Sequence, residues 1–260
     1  MRVILGNIVA IYRKELQGYF ASPLAYAIAG VFWLLSGFFF VIALQDTLQT
    51  AAAADQIGQP FDAAYALIQA FLGLMGVLSL FILPILSMGL YAEERKRGTL
   101  ELLATSPVTN WVVSLGKLLG VLTFFLTLVL PLLVYETITL SAANPPINPT
   151  LLLAGYGGLI LMAAAVLSLG MFLSSLTESS ILAAILTFAL VLFLWSIQAI
   201  ATVVGGPVGE AIGHLSLLKH YGDLVRGVVN TSGLILFASY ILLGLFLTAQ
   251  SIEALRFQRS

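Results

Sequence analysis

Between Ala92 and Pro107 the chain reads AEERKRGTLELLATSP, a run holding Glu93, Glu94, Arg95, Lys96, Arg97 and Glu101, six of the 11 basic and 12 acidic residues in the whole sequence. Two acids ahead of a basic triplet can make reciprocal, orientation-specific ion pairs with a protein partner. Gly98 permits a tight turn, and Thr99 has the side chain to cap a helix beginning at Leu100. Leu100, Leu102 and Leu103 would give that helix an apolar face, and Ser106-Pro107 would end it. A plainer reading of the same stretch is a solvated loop carrying positive charge between two membrane spans.

The sequence carries no catalytic signature. There is no HExxH and no GxSxG, and no acidic residue is central to any long apolar run. Gly116-Lys117 lacks the upstream glycine and the following Ser or Thr of a phosphate-binding loop, so this chain is not expected to hydrolyse ATP. With no cysteine, disulfides, thiolate nucleophiles and cysteine-held metals are excluded. His214 and His220 stand six apart in a polar segment and read as interfacial residues rather than ligands. No catalytic set, metal or cofactor is therefore expected on the chain. The charged stretch reads as an interface.

The elements that must position it are membrane spans. Hydrophobic residues make up 60% of the chain and charged ones 9%, against about 25% charged in soluble domains. A net charge of −1 with no basic stripe argues against nucleic acid as a partner. Runs near the roughly 20 residues that a membrane helix requires fall at about 24–44, 64–91, 111–135, 151–173, 181–204 and 233–252. Residues 1–22 precede them. Ile4, Ile8, Ile11, Tyr12, Leu16 and Tyr19 share one helical face, so this segment is expected as an amphipathic interfacial helix ending at Ser22-Pro23. Its charge, and the length of the first apolar run, do not suit a removable signal peptide. Pro84 is expected to kink the second span. Lys117, one to two turns inside the third, is expected to snorkel to the near end. Gly116-x-x-x-Gly120 allows close helix approach but is common in membrane helices. The 207–232 segment is too polar to cross and is expected to form one or two short helices.

Charge then orients the chain. With the N-terminus inside, the inner segments hold Arg2, Arg13, Lys14, Arg95, Lys96, Arg97, Lys117, Arg256 and Arg259, and the outer ones only Lys219 and Arg226. Both termini and the charged stretch fall on the cytoplasmic side. The expected fold is an all-α integral membrane protein with six transmembrane helices. The N-terminal helix forms an interfacial elbow, a cytoplasmic segment 92–110 follows span two, and short outer helices join spans five and six. Residues 23–260 form a single domain.

The run Tyr91–Val108 with Gly116-Lys117 following resembles type-2 ABC exporter permeases, and is closest to the gliding-motility and copper-enzyme-maturation branch. Arg13-Lys14-Glu15-Leu16 ahead of Ser22-Pro23 resembles that family's elbow. His220-Tyr221 and Arg226-Gly227-Val228-Val229 resemble its outer helices, with Tyr221 and Asn230 standing where phenylalanine and an acidic residue are the rule. The resemblance implies a half-transporter in a bacterial plasma membrane. It would pair with a second permease subunit, identical or related, and with two cytoplasmic ATPase subunits that hold the ATP and Mg. Glu93, Glu94, Arg95, Lys96, Arg97, Gly98, Thr99, Glu101, Thr105, Ser106 and Pro107 would contact the ATPase, with a second inner contact at Thr177 and Glu178. Pro207, His220 and Arg226 are candidates for an outer gate. The competing reading is a membrane anchor that recruits an ATPase machine without moving cargo; membrane lipids are partners in either case.

Overall fold

The computed structural model describes residues 2–99, 109–143 and 148–257, and all the regular structure in them is helical. The first helix, α1 (Arg2–Ala21), stops where Ser22 turns extended ahead of Pro23, which starts α2 (Pro23–Gln56). Proline costs little there, because first-turn N–H groups have no intrahelical acceptor. The helix outlasts the expected span by a dozen residues. Its extension, QDTLQTAAAADQ, is alanine-rich and meets no breaker until Gly58, whose φ is +68°.

Asp62 accepts the Tyr65 N–H at 3.0 Å and caps α3 (Ala63–Ser87), which contains Pro84 and is followed after Met88 by α4 (Gly89–Lys96). Next come α5 (Asn110–Leu140), α6 (Pro149–Ser175), α7 (Ser180–Val204), the short helices α8 (Gly206–Gly213) and α9 (Leu217–Val225), and α10 (Thr231–Phe257). Among the described residues six stretches are long and apolar enough to cross a membrane: α2, α3 with α4, α5, α6, α7 and residues Thr231–Ala254 of α10. The protein is a multi-pass, all-α membrane protein. The amphipathic helix expected from Leu100 and the turn expected at Asn144-Pro145-Pro146 lie outside the described residues.

The bundle is built around α6, which packs on α3, α5, α7, α9 and α10. Lipid tails are as apolar as leucine, so helices in a bilayer associate through close packing and polar contacts rather than the hydrophobic effect. The contact surfaces show it. A Cβ added at Gly244 of α10 would meet Ser168 backbone atoms of α6 at 2.5–2.7 Å. By contrast, α2 buries only one stripe, Ala25, Ala29, Phe32, Ser36, Phe40, Ala43 and Thr47, and leaves Val31, Leu34 and Phe38 outward. A lipid or a second chain must cover that face.

At the end opposite the charged stretch, α8 and α9 fold back against the bundle. The Tyr221 hydroxyl donates to the Leu72 carbonyl at 2.6 Å, and its ring lies over Gly76. The third span is also longer than expected. It continues past Tyr135 to Leu140, and this carries Glu136 into the fully buried interior, where Tyr156 donates to it at 2.6 Å.

Candidate functional site

The charged stretch leaves the bundle through the break between α3 and α4, and the break is held by three other helices. Tyr19 of α1 donates to the Leu86 carbonyl at 2.7 Å, Ser174 of α6 to Met88 at 2.8 Å, and Lys117 of α5 to Leu90 at 2.8 Å. Burial, and after it the charges of Glu15 and Glu93, push the Tyr19 hydroxyl well above its ordinary pKa, so it stays a donor. Ser174 does more. Its oxygen also accepts the N–H groups of Tyr91 and Ala92 at 3.1 and 3.0 Å. These are first-turn donors of α4 with no intrahelical partner, so a serine 82 residues away acts as the cap that Met88 cannot supply. Replacing Ser174 by alanine orphans two buried N–H groups and is expected to cost ~2 kcal/mol, read as a lower midpoint in thermal unfolding of the detergent-solubilised protein.

Lys117 does not snorkel. It is 2% exposed, and its ammonium meets Glu15 at 2.9 Å, Glu94 at 3.0 Å and the Leu90 carbonyl at 2.8 Å. An ammonium has three N–H donors, and all three are used. Its nitrogen also lies 5.0 Å from the ring centre of buried Tyr91, whose hydroxyl is 3.1 Å from that of Ser114. Snorkelling loses because two carboxylates reach the lysine inside the bundle, so the charge is compensated where it stands. Lys14 adds a looser, exposed contact to Glu94 at 3.5 Å. Gly116 and Gly120 make this arrangement possible. An added Cβ would come within 2.8 Å of Ile11 and 2.7 Å of Glu15, so the two glycines seat α1 against α5.

The far end of α4 is a defined turn. The Thr99 N–H bonds the Glu94 carbonyl at 3.0 Å and the Gly98 N–H that of Arg95 at 3.1 Å, with Gly98 at φ +69°. This is the Schellman pattern, which needs glycine or asparagine at the left-handed position. The Thr99 hydroxyl also donates to the Glu94 carbonyl, at 3.2 Å, so this side chain closes the helix before it. Arg95 reaches α6, donating to the Ser175 carbonyl at 2.8 Å, and its Nε lies 3.7 Å from Glu178. The two inner contacts expected separately thus meet. Thr177 accepts the Ser179 N–H in that hairpin. Glu93 and Arg97 form an exposed i,i+4 pair at 3.5 Å, and Lys96 faces solvent. Glu101, Thr105, Ser106 and Pro107 lie outside the described residues.

The expected outer residues lie on α8 and α9. Pro207 sits exposed in the first turn of α8, and Arg226 is exposed at the end of α9. His220 is 4% exposed, its Nε2 lies 3.0 Å from the His214 carbonyl oxygen, and its ring stacks on His214 at 6.2 Å. Among the described residues no hydrogen bond or ion pair joins the three.

Sequence reading missed Glu15, Ser114 and Ser174, and gave Lys117 another role. One signal was present. Glu15 lies four residues after Ile11 and three after Tyr12, on the apolar stripe of α1, where an acid needs a partner. Nothing local marks Ser174, because its partners come from another helix.

A family model described as ABC-2 family transporter protein matches residues 45–249 of the 260. No curated protein matches the chain.

Proposed function

The chain belongs to the ABC-2 family of transporter proteins, and from that premise we propose that it is the permease subunit of an ATP-driven exporter. ATP and Mg would sit on a separate cytoplasmic ATPase, two copies of which dock on two permease subunits, identical or related. The exposed faces of α2 and α7 leave room for the second permease. The membrane would be a bacterial plasma membrane, with both termini and α4 on the cytoplasmic side. An even number of spans and the nine-to-two split of basic residues support that orientation.

One observation carries the reading. Lys117 ties α1, α4 and α5 into a single body where the charged stretch leaves the bundle, and Arg95 ties α4 to α6 and Glu178. A displacement applied to α4 by a partner would therefore reach α1, α5 and α6 as well. Coupling further requires that two ATPase states contact the stretch differently. Glu93 and Lys96 are exposed and free of that buried network, so they suit contact with a partner; Glu94, facing inward, holds the frame.

The test is co-reconstitution with the cognate ATPase, whose turnover is measured with and without the permease. Reversing Glu93 and Lys96 together (Glu93→Lys, Lys96→Glu) is expected to reduce permease-dependent ATPase stimulation about tenfold, since rim charges set docking and mismatched ones repel, while the unfolding midpoint stays within a degree or two (~0.5 kcal/mol for surface changes). Unchanged stimulation would refute the coupling role. A stable complex in which neither wild type nor variant alters ATP turnover would favour the anchor reading instead.

A further inference from the structure

Two adjoining cavities lie between α1, the start of α2 and the α3–α4 break, and they share Glu15, Gly18, Gly89, Leu90 and Glu93. The larger, about 680 Å³, is bordered by the charged side chains of Lys14, Glu15, Glu93, Glu94 and Arg97. That volume is within the roughly 300–1,000 Å³ of small-molecule sites. The smaller, about 230 Å³, adds Leu24, Ala25, Ile28 and Ile85 to the Glu15 and Glu93 it shares with the larger. The two make one groove, with cations and carboxylates at one end and a stretch of apolar wall at the other. It runs beside a helix whose outward side chains Ile4, Leu5, Val9 and Phe20 are exposed, as for a helix resting at the boundary of headgroups and acyl chains.

We propose that this groove binds a phospholipid with a zwitterionic, amine-bearing headgroup, the phosphatidylethanolamine class, with one acyl chain entering the apolar end. Charge and hydrogen bonding select that class. The rim carries three carboxylates (Glu15, Glu93, Glu94) and three cations (Lys14, Arg97, Lys117), so a headgroup with one charge of each sign fits and a net anionic one does not. The N–H groups of Lys117 are already used. Glu93, which lines both cavities and has a 53% exposed side chain, offers the groove a carboxylate held by a 3.5 Å contact to Arg97, and such an acceptor takes a charged donor. An ethanolamine ammonium brings three N–H groups, whereas a choline brings none. Lys14, 69% exposed, and Arg97, 74% exposed, are held by loose 3.5 Å contacts to Glu94 and Glu93, and exchanging these for the phosphate costs little. The site needs no ATPase and stands whether or not the exporter reading does.

Gly18 offers a clean probe. It lines both cavities, and a Cβ added there meets nothing within 4 Å. Leucine at this helical position fills the groove while raising helix propensity. The experiment is native mass spectrometry of the purified full chain, equilibrated with equal amounts of dioleoyl phosphatidylethanolamine, phosphatidylcholine and phosphatidylglycerol. Wild type is expected to retain phosphatidylethanolamine about tenfold over each of the others, the factor that one charge-assisted contact supplies. Gly18→Leu is expected to abolish the preference. Glu93→Gln, an exposed change that leaves the fold alone, should lower it severalfold. Equal retention of the three lipids, a preference for phosphatidylglycerol, or a preference that survives both variants overturns the assignment.

Discussion

Replacing Lys117 by methionine is expected to cost ~3–5 kcal/mol of stability, the range found when one partner of a buried ion pair is removed. Methionine fits the volume but leaves Glu15 and Glu94, 14% and 16% exposed, facing each other with, among the described residues, the exposed Lys14 as their remaining ion-pair partner. It also strips the Leu90 carbonyl of its lysine donor at the α3–α4 break. The expected result is a sharply lower unfolding midpoint, with loss of any coupling to ATP turnover. Two further variants separate charge from packing. Neutralising the carboxylates as well (Lys117→Met with Glu15→Gln and Glu94→Gln) should recover at least half of the loss, because the uncompensated charges are gone. Lys117→Arg should not restore wild-type behaviour. Three acceptors lie around one nitrogen at 2.8–3.0 Å, an arrangement for a compact ammonium that a planar guanidinium cannot match. Full stability in Lys117→Met would mean that the lysine is not the tie between α1, α4 and α5.

Gly244→Ala is expected to cost about 3 kcal/mol, at the top of the range for overpacking, although it adds one methyl group. The atoms that a Cβ would strike are the Ser168 backbone carbon and oxygen and its Oγ, at 2.5–2.7 Å. A flexible side chain could step aside; a helix backbone cannot, so α10 must move off α6 along their shared face. The weak bond from Ser168 Oγ to the Tyr240 carbonyl, 3.3 Å, would break as well. Gly157→Ala, on α6 itself, is the control. Nothing lies within 4 Å of its added Cβ, so the change should stay within ~0.5 kcal/mol. Parallel thermal unfolding of the two alanine variants decides the matter, and equal midpoints would show that the α6–α10 contact is softer than its geometry.

Much of the architecture was legible in the residues. Span number followed from runs of apolar residues longer than the bilayer core, and the break at Ser22-Pro23 followed from proline's fit to a helix start. Boundaries were less legible. Hydropathy reports where a helix is apolar, not where it ends, so α2 runs past Leu44 through an alanine-rich polar tail and α5 past Tyr135 to bury Glu136. The candidate site divided in the same way. Its charge density and the turn at Gly98 could be read from neighbouring residues. Its internal wiring could not.

Glu93 and Glu94 show why. They are identical and adjacent, and a helix rotates by about 100° from one to the next. One therefore pairs with exposed Arg97 and the other with buried Lys117. The sequence determined that a helix carries two acids out of the membrane at this point. Which acid turns inward depends on where α1 and α5 lie around that helix. That was decided by contacts such as Glu15 to Lys117, 102 residues apart, and Ser174 to Ala92, 82 apart. Helix formation and membrane insertion are sums over local residues, so a single sequence contains them. Pairing a buried charge is a property of the neighbours that packing supplies, and only the assembled bundle brings glycine, glutamate, lysine and serine from four helices to one place.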